Sequence, residues 1–208
     1  MEIVSNFEEL ATLEVLNKVT EALNNNGFTA QVFESKEDVL EHIKTFIPAG
    51  STIMNGSSVT LESIGLVDYL KEGKHEWKNL HEEILKETDP NKQNALRRAC
   101  VVSDYYLGSA HAVTENGEIM IASGSGSQLS HLIYTSENII LVVGAQKITE
   151  NLEAARIRLT EYVYPLEDKR MASIGWGGST LAQELILHKH LPLGRNFYVY
   201  IVNESLGF

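Results

Sequence analysis

Three short stretches of the chain concentrate the residue types that hold anions. They are Asn55-Gly56-Ser57-Ser58-Val59-Thr60, Ser123-Gly124-Ser125-Gly126-Ser127-Gln128 and Gly175-Trp176-Gly177-Gly178-Ser179-Thr180. Glycine lets backbone N–H groups approach a ligand closely, and serine or threonine adds a short hydroxyl without bulk. Each stretch is expected to follow a strand and precede a helix. That is where an open α/β sheet collects ligands, because free N–H groups and the positive ends of helix dipoles converge there. Gly56, Ser57, Ser58, Thr60, Gly124, Ser125, Gly126, Ser127, Gly177, Gly178 and Ser179 are therefore the binding candidates. Lys147 follows the apolar run 139–143 by four residues. It either neutralises a bound phosphate or carboxylate or snorkels at a helix start.

Candidates for proton transfer or nucleophilic attack are fewer. Glu62 and Glu115 each stand beside a Gly/Ser-rich or Asn-Gly loop and are the carboxylates to test as base or nucleophile. Their plainer roles are a helix-dipole partner for Glu62 and an exposed turn residue for Glu115. His111 and His131 flank the loop at 123–128 and have the right pKa range for proton transfer, though a hydrogen-bonded structural histidine has the same spacing. His188-Lys189-His190 falls where a helix is expected to end, a place that favours cations without any metal. Trp176, inside a glycine loop, is a better ring-stacking candidate than Trp77. Neither standard nucleotide fingerprint is satisfied. There is no G-x-x-x-x-G-K-[ST], and Gly124-Ser125-Gly126-Ser127-Gln128-Leu129 lacks the third glycine of the dinucleotide motif.

These residues need elements to position them. An apolar stripe through Ala11, Val15, Leu16, Val19, Ala22 and Leu23 predicts a helix over about 6–24, capped by Asn6. Phe28 to Glu34 predicts a strand, and Ser35 caps a helix that Pro48 ends. Ser51 to Met54 is a short buried strand, followed by a helix from about Thr60. Asn91 to Cys100 looks helical. Ala110 to Ala122 predicts a hairpin turning at Asn116-Gly117, since Asn-Gly supplies the positive φ angles of a tight turn. A helix is expected from Gln128 to Tyr134, and Ile139 to Val143 is apolar on both faces, as a covered strand is. Thr149 opens an amphipathic helix closed by Pro165, Thr180 to Gln183 has capping-box spacing, and Phe197 to Val202 is the last strand. Strands alternating with helices define the α/β class with a mainly parallel sheet covered on both faces, in one domain over 1–208.

Composition removes several functions. With 17 Lys+Arg against 28 Asp+Glu the net charge is -11, which argues against a nucleic-acid binder that tracks phosphates with clustered cations. The single Cys100 cannot make an internal disulfide, and alone it holds neither an iron–sulfur cluster nor a structural zinc. The N-terminus lacks the pattern of a signal peptide, and no run is long and apolar enough for a membrane span, so a cytoplasmic protein is expected.

Taken in order, several of these segments resemble the LUD-domain (lactate utilisation) family. Ser58-Val59-Thr60-Leu61-Glu62-Ser63-Ile64-Gly65-Leu66 is similar to its S-x-T-L-x-x-I-G-L segment, and Ala112-Val113-Thr114-Glu115-Asn116-Gly117 to its A-[IV]-T-x-x-G hairpin, which adds Thr114 to the binding candidates. The resemblance continues through Ser123 to Leu129, Val142 to Ile148, Tyr164 to Arg170 and Asn203 to Phe208, and so spans about residues 50–208. It implies the open α/β fold of CoA transferases, ribose-phosphate isomerases and glucosamine-phosphate deaminases. It also implies a part in oxidising L-lactate to pyruvate beside iron–sulfur partner proteins. Two departures stand out. The chain has no Cys-rich cluster extension, and it carries Ser127-Gln128 where other relatives have Asn-Arg. The family supplies no catalytic residue to transfer. Three readings therefore stay open. The first is a component of organic-acid utilisation, itself without an iron–sulfur cluster, that binds a small anion. The second is a free-standing transferase or isomerase acting on a CoA thioester, a folate or a sugar phosphate, with Glu62 or Glu115 as its carboxylate. The third is a non-catalytic interaction module. A homo-oligomer is compatible with all three.

Overall fold

A computed structural model describes residues 6–208. In chain order the first half contains α1 (Leu13–Asn25), β1 (Thr29–Phe33), α2 (Lys36–Phe46), β2 (Thr52–Asn55), α3 (Val59–Ser63), α4 (Leu66–Glu72), β3 (Lys78–Asn79), α5 (Leu80–Lys86), α6 (Pro90–Ala99) and β4 (Ser103–Gly108). The second half contains β5 (Ala112–Thr114), β6 (Ile119–Ser123), α7 (Ser127–Ser130), β7 (Ser136–Gly144), β8 (Ile148–Thr149), α8 (Leu152–Arg158), α9 (Tyr164–Ser173), β9 (Gln183–Leu187) and β10 (Asn196–Val202). Six strands form an all-parallel sheet in the order β1-β10-β7-β4-β2-β3, and β8-β5-β6-β9 form a second, mixed sheet.

The period-two pleat explains how the large sheet is covered twice. Ile139, Leu141 and Val143 of β7 face a core with Leu16, Val19 and Leu23 of α1, while Ile140 and Val142 face one with Val39 and Ile43 of α2 and Leu61 of α3. The hairpin continues this logic in the small sheet. Val113, Ile119 and Ile121 join the α1 core, and Ala112, Met120 and Ala122 turn the other way, onto Ala155, Leu159 and Val163. Gly117 has φ +78° in the hairpin turn, and a Cβ there would stand 2.8 Å from the backbone of Ala22 and Leu23, so the turn and α1 touch main chain to main chain.

Four expected elements differ. The first helix begins at Leu13, not near Asn6. Thr12 accepts a hydrogen bond from the Val15 amide at 3.3 Å, whereas Asn6 makes only a local turn with Glu8 and Glu9. The helix expected from Thr149 starts at Leu152, because Thr149 is already paired with Thr114 in β8 and Asn151 supplies the cap. Pro165 does not close that run. A π turn at Leu159–Val163 joins α8 to α9, and Pro165 falls in the first turn of α9, where its missing N–H is not needed. Gln183 lies in a strand rather than a helix, since β9 covers the edge of β6 from Ile119↔Leu187 to Ser123↔Gln183. Leu185 and Leu187 face one core and Ile186 the other, an alternation that outweighs a capping-box spacing. The third glycine loop therefore follows helix α9 and leads into β9, and His188-Lys189-His190 follows that strand instead of ending a helix.

Candidate functional site

The loops after β2 and β6 and the segment between α9 and β9 meet around one cleft of about 530 Å³. In the first loop Ser58 Oγ accepts from the Leu61 amide at 3.3 Å, which starts α3 and leaves Gly56, Ser57 and Ser58 along the cleft. In the second, Ser123 Oγ accepts from the Gly126 amide at 2.9 Å, and Gly126 takes φ +76°. Gln128 is tied to the Ala122 carbonyl at 2.8 Å, so Gly124, Ser125 and Ser127 face inward. In the third, Asp168 accepts from the Ser179 amide at 2.7 Å. A Cβ on Gly124 would lie 3.1 Å from the Thr180 carbonyl oxygen, so the second and third loops close on each other.

The floor is made by Lys147, at the end of a short 3₁₀ turn that follows β7. Gly144 makes this turn possible, because a Cβ there would collide with the Gln146 side chain and with the backbone of Glu204 and Leu206. Gln146 Nε2 then donates to the carbonyls of Leu206 and Gly207 at 3.0 and 3.1 Å. Lys147 is 2% exposed. Its Nζ donates to Thr60 Oγ1 at 2.8 Å, to Ser109 Oγ at 3.3 Å and to the Ala110 carbonyl at 3.3 Å, and no carboxylate pairs with it among the described residues. Burial, with a smaller contribution from the Arg158 charge, pushes its pKa down to about 7.

Arg158 is a second buried cation. Nη1 donates to the His111 carbonyl at 2.7 Å and the guanidinium lies 5.3 Å from the Tyr162 ring, while Nε and Nη2 have no hydrogen-bond partner among the described residues. Burial pushes its pKa down to about 10. His111 lines the cleft, and its Nδ1 accepts from the Ala122 amide at 3.1 Å, so the neutral ring carries its proton on Nε2. Burial, then Lys147 and Arg158, push its pKa down to about 3, which makes it a neutral donor and not an acid. His131 is held differently. Its Nδ1 is 2.8 Å from Ser136 Oγ, which in turn is 2.8 Å from Ser103 Oγ, and its ring stacks on Tyr106 at 4.7 Å. Burial pushes its pKa down to about 4.

Of the residues singled out from sequence, the cleft gathers Gly56, Ser57, Ser58, Thr60, His111, Gly124, Ser125, Ser127, His131, Lys147, Trp176 and Ser179. Gly126, Gly177 and Gly178 shape the loops without lining the cleft, and Thr114 is buried in the small sheet. Glu62 is exposed on α3 outside the lining, and Glu115 is ion-paired with Lys18 at 2.7 Å. The carboxylate that does line the cleft is Glu167, which already holds Arg170 through contacts of 2.7 and 2.8 Å. Sequence reading missed Arg158, His81, Arg97, Tyr106 and Arg170. A cation on an amphipathic helix looks solvent-facing, and the polar segment around His81 gave no periodicity to anchor it. Among the described residues no three His, Cys, Asp or Glu side chains are grouped to hold a metal ion, and no helix is long and apolar enough to cross a membrane.

A six-stranded all-parallel sheet flanked by helices, with glycine- and serine-rich loops around one cleft, defines an open α/β protein. The LUD-domain model matches residues 16–202, and the chain belongs to the LUD-domain family. It is similar in fold to the crystal structure of a DUF162 family protein from Deinococcus radiodurans, with a TM-score of 0.56 and 14% identity, covering 94% of this chain and 100% of that one. No curated protein matches it.

Proposed function

We propose that this LUD-domain protein binds a small organic anion in the cleft, with Lys147 and the hydroxyls of the first two loops as its contacts. Its role would be that of a component of organic-acid utilisation that carries no iron–sulfur cluster of its own. The observation that carries this reading is the charge balance of the interior. Lys147 and Arg158 are buried near each other, and among the described residues the buried polar groups include no Asp or Glu to neutralise them. A buried charge without a counter-charge costs several kcal/mol, and an anionic ligand offsets that cost.

The family's association with lactate makes lactate and pyruvate the first anions to test, with iron–sulfur proteins as partners that would supply electron transfer in the cytoplasm. A transferase or isomerase using Glu62 or Glu115 has less support, since neither carboxylate lines the cleft. Calorimetric titration of lactate, pyruvate and simple phosphate esters tests the proposal. Binding to the wild type that weakens about 100-fold or more in Lys147→Met is the expected result. Equal binding by both proteins, or none by the wild type, sinks it.

A further inference from the structure

The cleft changes character from floor to mouth. Around Lys147 its walls are hydroxyls and backbone, but at the mouth they become apolar. Leu85 of α5, Ile174 and Trp176 line it and are exposed, with Met171 of α9 beside them in the lining. Leu85 is 58% exposed, Ile174 55% and Trp176 68%, although large apolar side chains around one opening would be expected to find cover. Trp77 shows the contrast. It is 8% exposed and its Nε1 donates to the Ile47 carbonyl at 3.1 Å, so packing fully accounts for it.

Trp176 has no such partner. It sits between Gly175 and Gly177, both at positive φ, and a Cβ on either would meet nothing within 4 Å. Those glycines therefore set the path of the loop and do not make room for a neighbour. Arg97 of α6 lines the same cleft, adding a planar cation that stacks on rings as readily as it pairs with anions.

Size points the same way. A three-carbon acid displaces about four waters, roughly 120 Å³ at about 30 Å³ each. The cleft offers about 530 Å³, in the range of sites that enclose larger ligands. We propose that the cleft takes a two-part ligand, an anionic head beside Lys147 joined to a planar aromatic group that packs against Trp176 at the mouth. This rests on the anion reading above and names the class of ligand. Lactate or pyruvate alone fills only the floor.

The test holds the head constant and moves the ring. Pyruvate, phenylpyruvate and 2-oxo-4-phenylbutanoate are titrated by calorimetry and tryptophan fluorescence into wild type, Trp176→Ala and Lys147→Met. Phosphate and phenyl phosphate distinguish a carboxylate head from a phosphate head. In the wild type one of the ringed compounds binds about tenfold or more tighter than its ringless counterpart and changes the fluorescence. In Trp176→Ala that ratio collapses towards one, and in Lys147→Met every compound weakens. Equal affinity for ringed and ringless anions, or a ring gain that survives Trp176→Ala, overturns the two-part ligand while leaving the anion site standing. Absence of binding by all five compounds removes the anion site itself, and the two-part ligand with it.

Discussion

The polar groups buried beside β7 and those buried at the cleft floor follow opposite rules. Beside β7, His131, Ser136 and Ser103 form a chain of 2.8 Å contacts, and Arg195 donates to the carbonyls of His131, Leu132, Ile133 and Ser136 at 2.6 to 3.2 Å. Each of these contacts is made within the protein, although the His131 ring also lines the cleft. At the floor, among the described residues, Lys147 is held only by neutral acceptors and Asn55 Oδ1 has no partner, and behind it Arg158 leaves two nitrogens unanswered. Folding alone explains the first cluster. The second costs stability in the free protein, and an outside group that completes it is the simplest reason for its form.

A change of pH puts the two regions to the strongest test. Lys147 has an ordinary pKa of 10.5 in the unfolded chain and about 7 in the fold. Between those values the unfolded chain binds the additional proton, so stability rises as pH increases from about 7 to 10.5, by at most about 4–5 kcal/mol. Chemical denaturation across that range should show the rise in wild type relative to Lys147→Met, and a saturating anion should flatten it. A flat difference between the two proteins would mean that the floor is already neutralised.

Next in size is the closed cluster. Ser136→Ala orphans His131 Nδ1 and Ser103 Oγ, which costs about 1–3 kcal/mol in urea unfolding but leaves anion affinity unchanged. A loss of affinity would show that the two regions are coupled. Gly126→Val forces a β-branched residue into φ +76° and should cost about 1–3 kcal/mol, with a loss of anion affinity because Ser125 and Ser127 move with the turn. The smallest effect belongs to the surface. Glu115→Gln removes the Lys18 pair, and thermal unfolding should register less than about 1 kcal/mol with binding unaltered.

These two regions were not equally legible in the sequence. Lys147 could be found because a cation just beyond an uninterrupted apolar strand has few places to go. The hairpin could be found because Asn116-Gly117 dictates a turn locally. Arg158 could not, since a cation on an amphipathic helix reads as solvent-facing even though, three residues after buried Ala155, it borders the buried stripe of α8. β9 was hidden for a related reason. Its strand character comes from pairing with β6, a partner some 60 residues earlier in the chain, while its local spacing imitates a helix start. Glu62 and Glu115 drew attention through their neighbours in sequence, but side-chain direction is decided by packing. Packing turned one to solvent and the other to Lys18.

The position of β10 between β1 and β7 sets a timetable for the molecule. Thr29 pairs with Tyr198, and the carbonyls that hold Gln146 come from Leu206 and Gly207. A growing chain therefore carries β1 with both edges unpaired until residues 196–202 are made, and the floor of the cleft closes only once Leu206 and Gly207 have emerged from the ribosome. Chaperone dependence should accordingly track the emergence of residues 196–207 rather than the folding of the hairpin, and a chain stalled before β10 should not show the proposed anion binding.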